Sequence, residues 1–332
     1  METLRFGVIG AGGVGGNRIR QIQGRSDAKV VAIADVSEAA LARHKANLGE
    51  VATYSDWRTM LSEQSDLDAV DVASPHTAHA DQVRACLERG LHVLVEKPMT
   101  TTAADARALI DLSEKQGKVL AVGYQRHGEA RFRECRRLLQ EGILGDLKLI
   151  TVLIAQDCVW NFSKTPEGAY QTWRADPSLS GGGHLMDTGS HIVDMLLWLT
   201  GLEPKRVAAF TNNHGGDVDI FAAISIEFTN GCVGTMATTA VAADGWREEF
   251  TFYGADGMLT VRDDGIRYQK QGGDLIWPKQ FKDRGKDPLE NFIDAIHGDA
   301  EVQAPPVCGL RVVQLTETAY RSAASGKIEQ AG

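Results

Sequence analysis

In the first part of the chain, short apolar runs alternate with longer segments in which apolar residues recur every three or four positions. Short, largely apolar segments are predicted strands, and they cover residues 5–9, 29–34, 69–73, 92–96 and 119–124. The segments between them carry apolar residues at helical spacing, and we predict helices from residue 14 and over residues 38–48, 80–89 and 103–116. Largely apolar strands separated by helices are typical of a parallel sheet covered on both faces. We therefore predict an α/β domain with a doubly wound parallel sheet over residues 1–124.

The pattern changes after residue 124. A predicted helix over 129–141 is followed by long segments in which apolar and polar residues alternate, and these cover residues 147–155, 206–211, 219–228, 232–239 and 248–253. The dipeptides Asn230-Gly231 and Asp256-Gly257 are hairpin signals. A chain of 332 residues is also too long for one small core. We predict a second, α+β domain over residues 125–332 with a largely antiparallel open sheet.

A glycine-rich turn ends the first predicted strand, with Gly10, Gly12 and Gly15 in the pattern G-x-G-x-x-G. In a dinucleotide-binding Rossmann domain the first glycine makes the turn, the second admits the pyrophosphate and the third packs the helix. Asp35 ends the second strand, 20 residues beyond the last glycine, where a carboxylate binds the ribose hydroxyls and repels a 2′-phosphate. We therefore predict NAD as the cofactor in preference to NADP, and interpret Arg43 as too distant to bind a phosphate.

Two further strand ends are expected to face the same cofactor. The turn Ser74-Pro75-His76 follows one strand, and Lys97 follows another, where it points into the crevice in which such sheets hold ligands. His76 and His79 have a metal-like spacing but no acidic or cysteine neighbour in sequence, so we assign them to the cofactor. The predicted cofactor contacts are Gly10, Gly12, Gly13, Val14, Gly15, Asp35, Ser74, Pro75, His76, His79, Glu96, Lys97 and Gln125.

A dense set of polar residues lies on one predicted helix of the second domain, after Gly181-Gly182-Gly183. Residues at steps of three and four share one of its faces; they are His184, Asp187, His191, Asp194 and Trp198. A carboxylate and an imidazole four residues apart can form a hydrogen bond, so Asp187 is expected to orient His191 as a general base. A buried pair that serves only stability and a metal site at His184, Asp187 and His191 are the alternatives. The nucleotide domain favours acid–base chemistry, and we predict no metal.

Composition narrows the class of partner. The net charge is −9 and no basic run is long enough to follow a phosphate backbone, so nucleic acid is not expected. No stretch of about 18 apolar residues is present, so no membrane span is expected. Five scattered cysteines form no Cys-x-x-Cys pair, which indicates neither a disulfide framework nor a zinc knuckle. The first strand begins close to Met1 and leaves no room for a signal peptide, which predicts a cytoplasmic protein.

These motifs together resemble the Gfo/Idh/MocA family, named for glucose-fructose oxidoreductase and inositol dehydrogenase. The resemblance covers nearly the whole chain and is carried by the segments 10–15, 74–79, 90–98, 173–174, 181–191 and 319–327. It implies that Lys97 belongs to the Glu-Lys-Pro motif of the family and that Asp187 and His191 form its Asp-x-x-x-His pair, with all three directed at the reacting carbinol. His191 would then take the hydroxyl proton, while Lys97 stabilises the developing alkoxide. The resemblance also implies a homodimer or homotetramer formed through the C-terminal sheet.

Aromatic residues before the polar helix suit the CH-rich faces of a sugar, polyol or cyclitol. Two arginines could bind an acidic substituent of such a substrate. The predicted substrate contacts are Lys97, Arg126, Trp160, Tyr170, Trp173, Arg174, His184, Asp187 and His191. The leading hypothesis is an NAD-dependent dehydrogenase of such small molecules. A redox-neutral enzyme that cleaves glycosides through transient oxidation is the alternative, and a non-enzymatic ligand sensor is disfavoured because the lysine, aspartate and histidine are all retained.

Overall fold

The computed structural model describes residues 3–243, 245–278, 280–281 and 283–331. The chain divides into two compact units. The first comprises the residues up to Tyr124 together with Lys286–Leu310, and the second comprises Gln125–Gly285 and the residues from Arg311 onward. The sequence-based division at residue 124 differs from this one because it assigns residues 286–310 to the second domain.

The first unit contains a six-stranded sheet in the order β3-β2-β1-β4-β5-β6, with neighbouring strands parallel. The strands are β1 (Leu4–Ile9), β2 (Ala28–Ala34), β3 (Ala52–Tyr54), β4 (Ala69–Val72), β5 (His92–Val95) and β6 (Leu120–Val122). The helices that connect them are α1 (Gly13–Gln23), α2 (Glu38–Leu48), α3 (Trp57–Glu63), α4 (His79–Glu88) and α5 (Ala103–Gln116). The prediction of a doubly wound parallel sheet is confirmed, since this is the strand order of a Rossmann domain. β3 and α3 were not predicted.

Local caps explain where two of these helices begin and end. The Ser37 side chain accepts a hydrogen bond from the Ala40 amide at 3.3 Å, and the Thr102 side chain accepts one from the Asp105 amide at 3.1 Å. Such caps satisfy amides that have no partner within the helix. Gly117 ends α5 in the left-handed conformation at φ 61°, which a residue with a side chain adopts less readily.

The second unit contains a nine-stranded sheet in the order β14-β13-β12-β11-β7-β10-β9-β8-β15. Its helices are α6 (Ala130–Gln140), α7 (Pro177–Ser180), α8 (His184–Asp187) and α9 (Gly189–Thr200). Its strands are β7 (Leu147–Gln156), β8 (Pro204–Asn212), β9 (Phe221–Phe228), β10 (Val233–Thr239), β11 (Trp246–Gly254), β12 (Gly257–Arg262), β13 (Gly265–Lys270), β14 (Leu275–Ile276) and β15 (Glu329–Gln330). β7 and β10 pair in parallel and the other neighbouring strands are antiparallel, so the prediction of a largely antiparallel sheet is confirmed.

The two hairpin signals lie where they were expected. Asn230-Gly231 connects the antiparallel strands β9 and β10, and Gly257 follows Asp256 at the start of β12, which pairs with β11. Along β9, buried residues alternate with more exposed ones, as expected for a sheet with one covered face. Short 3₁₀ helices lie at His76–Ala78, Gln125–Gly128, Val159–Phe162 and Trp173–Ala175.

Two helices lie between β14 and β15 along the chain, α10 (Pro288–His297) and α11 (Pro306–Ser325). Leu289, Phe292 and Ile293 of α10 belong to the same hydrophobic cluster as the residues of β1 and α1, and the rings of Phe6 and Phe292 meet edge to face at 6.2 Å. This packing explains why residues 286–310 join the first unit, since a long-range contact of this kind leaves no local signal in the sequence. Of the helices in the described ranges, none combines the length and apolar character needed to cross a membrane.

Candidate active site

The glycine turn after β1 has the geometry that its sequence predicts. A Cβ atom added at Gly10, whose φ is 88°, would lie 2.6 Å from the carbonyl carbon of Ala73, and one added at Gly15 would lie 1.8 Å from the carbonyl oxygen of Gly10. At Gly12 and Gly13 an added Cβ would meet no described atom within 4 Å. The first and third glycines are therefore required by packing, and the middle ones leave open space at the amino end of α1. This cradle fits the diphosphate of a dinucleotide, which helix amino ends favour.

Asp35 is held against this turn by two backbone amides. Its Oδ2 accepts a hydrogen bond from the Ala11 amide at 2.6 Å, and its Oδ1 accepts one from the Ser37 amide at 2.7 Å. Each carboxylate oxygen can accept a second bond, so the group keeps the capacity to bind ribose hydroxyls.

Arg43 lies closer to the glycine turn than the sequence suggested. Its Nη2 donates a hydrogen bond to the Ala11 carbonyl oxygen at 3.3 Å, beside the ring of His44, whose Nε2 lies 3.0 Å from the same oxygen. Arg43 therefore reaches the glycine turn, whereas the interpretation that it does not bind a cofactor phosphate stays a prediction. Although Arg43 lies more than one turn into α2, its long side chain reaches back from the helix to the Ala11 carbonyl oxygen.

His79 connects the turn after β4 to the loop that carries Lys97. Its ring is fully buried, with Nδ1 at 2.8 Å from the Pro98 carbonyl oxygen and Nε2 at 2.9 Å from the Ser74 carbonyl oxygen. Burial and then the nearby His76 lower the pKa of His79 to about 4, so the ring is neutral near pH 7 and donates to one carbonyl at a time. Both ring nitrogens face backbone oxygens, which favours a structural role in place of a direct cofactor contact.

Glu96 and Lys97 follow β5, and an internal network holds the glutamate. Glu96 Oε1 lies 3.3 Å from Nη2 of the buried Arg18, and Glu96 Oε2 accepts a hydrogen bond from the Lys97 amide at 3.3 Å. A Cβ added at Gly123 would lie 2.5 Å from the same carboxylate. Glu96 therefore fixes the backbone of the lysine, although it was predicted to contact the cofactor.

The Arg18 side chain also faces two aspartates of the first unit. It donates to Asp287 at 2.9 Å, and its Nε lies 4.0 Å from the fully buried Asp71 of β4. Burial raises the pKa of Asp71 to about 7, and the charge of Arg18 opposes this rise. Because Arg18 belongs to α1, it links the glycine-turn helix to the end of β5 through Glu96.

The polar helix predicted for the second unit is divided at one residue. α8 ends at Asp187 and α9 begins at Gly189, and Thr188 between them keeps helical dihedrals (φ −73°, ψ −38°), so helical backbone continues from Asp187 toward His191. The Ser190 hydroxyl donates to the Asp187 carbonyl oxygen at 2.7 Å across this division. His184 is buried, and its ring meets Phe162 edge to face at 5.6 Å.

Arg174 is the side-chain partner of Asp187. Its Nε donates to Asp187 Oδ2 at 2.7 Å, and its guanidinium lies 4.4 Å above the ring of Trp173. Arg174 was predicted to bind an acidic substrate group, and the structure uses it to orient a carboxylate that is only 6% exposed. Sequence reasoning had named both residues but could not pair them across the loop that separates them.

Of the remaining predicted substrate contacts, two bind other side chains of the chain and one is exposed. Arg126 is buried and forms an ion pair with Glu248 at 2.7 Å, while the Tyr170 hydroxyl donates to Asp217 at 2.7 Å. Trp160 is 54% exposed, and Gln125 is also exposed. Arg126 and Tyr170 thus have internal partners, and Trp160 has surface free for contact.

Sequence reasoning missed one buried pair near the polar helices. His127 Nε2 lies 2.9 Å from Asp194 Oδ2, and the His127 ring lies 4.3 Å from that of Trp198. Asp194 and Trp198 had been placed on the polar face, but nothing local to His127 indicated that it would meet them from 67 residues away.

Comparisons with known proteins agree with this geometry. Residues 4–124 match the family described as "Oxidoreductase family, NAD-binding Rossmann fold", and residues 132–260 match the "GFO/IDH/MocA C-terminal domain". Inositol 2-dehydrogenase of Rhizobium meliloti (strain 1021) is 25% identical over 338 residues, which cover 97% of this chain and 97% of that protein. D-xylose 1-dehydrogenase (NADP(+)) 2 of Haloferax volcanii is 30% identical over 237 residues, which cover 71% of this chain and 69% of that protein.

A solved structure extends the similarity to the whole chain. The WlbA dehydrogenase from Bordetella pertussis, in complex with NADH and UDP-GlcNAcA, has a TM-score of 0.83 and 25% identity to this chain, with coverage of 100% of this chain and 99% of the other. Both halves of the chain thus match one family. The first half contains the glycine turn and Asp35, and each half contains one of the two sheets. The protein belongs to the Gfo/Idh/MocA family and is an NAD(P)-dependent oxidoreductase that acts on CH–OH groups, with an NAD-binding Rossmann domain.

Proposed function

We propose that the protein is an NAD-dependent dehydrogenase that oxidises a secondary hydroxyl of a sugar, polyol or cyclitol, or reduces the corresponding ketone. The observation that carries this proposal is the Asp187 carboxylate, which is 6% exposed and held by Arg174 Nε at 2.7 Å. A carboxylate fixed in such surroundings four residues before a histidine is suited to orient that histidine and to stabilise its protonated form. The names of the relatives, which include inositol and xylose dehydrogenases, support the substrate class.

The three proposed catalytic residues have distinct roles. His191 accepts the hydroxyl proton as the carbonyl forms, and Asp187 orients its imidazole. Lys97 donates a hydrogen bond to the substrate oxygen and stabilises the negative charge that develops there. Glu96 holds the backbone of Lys97 through its amide at 3.3 Å, which limits the positions that the ammonium group can take.

The cofactor is proposed to bind along the carboxyl ends of β1, β2, β4 and β5. Gly12 and Gly13 leave room for the diphosphate, and Asp35 binds the ribose hydroxyls. Bound NAD supplies the nicotinamide that accepts the hydride. Ser74, Pro75 and His76 lie on the turn after β4 and are proposed to line the nicotinamide side of the site.

The substrate class can be tested directly by absorbance. Purified protein is mixed with NAD or NADP and with a panel of sugars, polyols and inositols, and the NADH band is recorded. Formation of NADH with at least one secondary alcohol is expected. Turnover of a glycoside without a net NADH signal would contradict the proposal and identify the redox-neutral alternative.

Activity is predicted to survive removal of divalent metal. His184, Asp187 and His191 are assigned to acid–base and positioning roles, and Asp187 already holds Arg174 at 2.7 Å. Dialysis against a strong chelator should therefore leave kcat unchanged when the substrate found in the panel is used. Loss of turnover that added zinc, manganese or iron restores would instead show that these residues bind a metal.

The outer face of the nine-stranded sheet is proposed to form a contact between copies of the chain. One row of paired residues crosses six strands without a charged side chain, and it contains Ala208, Ser225, Thr235, Thr151, Thr251 and Thr260. Phe210, in the neighbouring row, is 77% exposed. A sheet face with one uncharged row and an exposed aromatic ring is suited to pack against an identical face, although the row of Phe210 also contains Glu249 and Arg262.

Phe210→Glu is therefore predicted to shift the protein from a dimer or tetramer toward a monomer. The new carboxylate would be buried against the second copy, and light scattering coupled to gel filtration measures the change in mass. Gln116→Glu, on the exposed end of α5, adds the same charge elsewhere and serves as the control. A wild-type protein that is already monomeric at high concentration would contradict the proposed interface.

A further inference from the structure

The C-terminal segment 319–327 carries part of the family resemblance, yet the proposed chemistry does not use it. In the structure, Tyr320 of α11 donates a hydrogen bond from its hydroxyl to Asp219 Oδ1 at 2.6 Å. The same hydroxyl lies against the glycine run, because a Cβ added at Gly182 would be only 2.6 Å from it. Tyr320 therefore contacts both a buried carboxylate and the loop that leads into α8.

Asp219 binds three consecutive backbone amides at the beginning of α8. Its Oδ1 and Oδ2 accept hydrogen bonds from the amides of Gly183 and Leu185, each at 2.8 Å, and its carbonyl oxygen accepts one from the His184 amide at 2.8 Å. Amides at a helix start have no partner within the helix, so one residue satisfies the donors that α8 cannot satisfy itself. A Cβ at Gly183 would lie 2.0 Å from the Asp219 carbonyl oxygen, which restricts this position to glycine.

α8 is too short to be stable by itself. It has four residues, which form one turn, and one turn gains too few hydrogen bonds to offset its loss of conformational freedom. Its carboxyl end continues through Thr188 into α9, so tertiary contacts are needed mainly to fix its amino end and its side chains. Asp187 is its last residue and, through Arg174, is also held by its side chain. The helix is thus fixed at its first turn by Asp219 and at its last residue by Arg174.

We propose that Asp219 and Tyr320 are positioning residues that hold α8 so that Asp187 can orient the catalytic base. The inference rests on the proposed function, in which Asp187 and His191 act on the substrate. Neither residue is assigned a contact with substrate or cofactor. Their role is to fix the backbone that carries Asp187.

The charges of the pair support this arrangement. Burial raises the pKa of Asp219, whereas Tyr320 and the amides of Leu185 and Gly183 oppose that rise. Burial and the neighbouring Asp219 also raise the pKa of Tyr320 well above its usual value, so the phenol keeps its proton and remains a donor. A hydrogen bond from a hydroxyl to a carboxylate is among the strong ones in proteins, and the acceptor here, Asp219, is buried.

Tyr320→Phe tests the proposal because it removes one oxygen atom and leaves the ring in place. We expect kcat to fall by roughly 10- to 100-fold, the range for displacement of a reacting group by a fraction of an ångström to about 1 Å. The KM for substrate and the Kd for NADH should stay close to the wild-type values. Amide hydrogen exchange should become faster in peptides that cover residues 183–187, because Asp219, which accepts hydrogen bonds from these amides, loses its bond to the Tyr320 hydroxyl.

Thr318→Val is the matched control. It removes a buried hydroxyl from the same helix, whose bond goes to the Gln314 carbonyl oxygen and not to Asp219. It should leave kcat and the exchange of residues 183–187 unchanged. Asp219→Asn is the second variant, and it should lower kcat further because its amide group places a donor against a backbone donor.

The outcomes separate the two proposals. Wild-type kcat in Tyr320→Phe, together with loss of turnover in His191→Ala, overturns the positioning role alone. A fall in kcat without faster exchange at residues 183–187 also overturns it, because the effect would not pass through α8. Wild-type turnover in both Tyr320→Phe and His191→Ala shows that the assignment of the reaction to these helices is wrong. If Asp219→Asn does not fold, Tyr320→Phe decides the question.

Discussion

His191→Ala is expected to lower kcat by roughly 10²–10⁴-fold, the range for loss of a general base. The imidazole is the only group proposed to take the hydroxyl proton, and alanine cannot accept it. Oxidation by the wild-type enzyme should also fall at acid pH, because a protonated imidazole no longer accepts a proton. The Kd for NADH should barely change, since His191 is not among the proposed cofactor contacts. Stopped-flow or steady-state absorbance of NADH measures the rates, and NADH fluorescence measures the Kd.

Lys97→Ala is expected to give a loss of similar size for a different reason. It removes the positive charge that is proposed to stabilise the substrate oxygen as hydride leaves, and loss of one such donor costs roughly 10²–10³-fold. The double variant should lose less than the product of the two single losses, because both groups act on one transition state. His214→Ala and Lys148→Ala change exposed residues of the same types and are the controls. Near wild-type kcat in either active-site variant, with the fold intact, would show that the residues were assigned wrongly.

The elements that could be predicted from the sequence are those with local signals. The bounds of α2 and α5 match the predicted ranges because the side chains of Ser37 and Thr102 cap their first turns and glycines follow their last residues. The parallel sheet was predictable from its largely apolar strands. β3 was not, because it has three half-buried residues without an apolar run and lies at the edge of the sheet.

The parts of the site that could not be predicted depend on contacts between distant residues. Asp187 was expected to pair only along its helix, but its side chain meets Arg174 from the preceding loop. Asp219 and Tyr320 lie 101 positions apart in the sequence, so the residues around each of them give no indication that they form a hydrogen bond. Residue types at strand ends thus predict which chemistry to expect, whereas the partners of each group become known only from the fold.

Asp35→Ser is expected to reduce the preference for NAD over NADP by roughly 10²-fold or more. Hydrogen bonds to a charged group contribute about 1.5–3 kcal/mol, and the carboxylate is proposed to make such bonds with the ribose. Its removal also relieves repulsion of a 2′-phosphate. The structure adds a second reason, because the Arg43 guanidinium lies at the same turn, with Nη2 at 3.3 Å from the Ala11 carbonyl oxygen. Once Asp35 is neutralised, that cation is available to bind the phosphate. Comparison of kcat/KM, and of the Kd for NADH and NADPH, measures the change.

The contribution of Arg43 is separated by two further variants. Arg43→Ala alone should change the Kd for NADH little, since Asp35 remains bound to the Ala11 and Ser37 amides. In the Asp35→Ser background, Arg43→Ala should weaken NADPH binding and leave NADH binding unchanged, because only NADPH carries the 2′-phosphate. Asp35→Asn removes the charge and keeps the side-chain shape, but its single oxygen can accept from only one of the Ala11 and Ser37 amides, so it loses one amide contact where Asp35→Ala loses both. A wild-type enzyme that prefers NADP would contradict the role of Asp35. Equal NADPH affinity with and without Arg43 in the serine background would show that the cation at the glycine turn does not reach the phosphate.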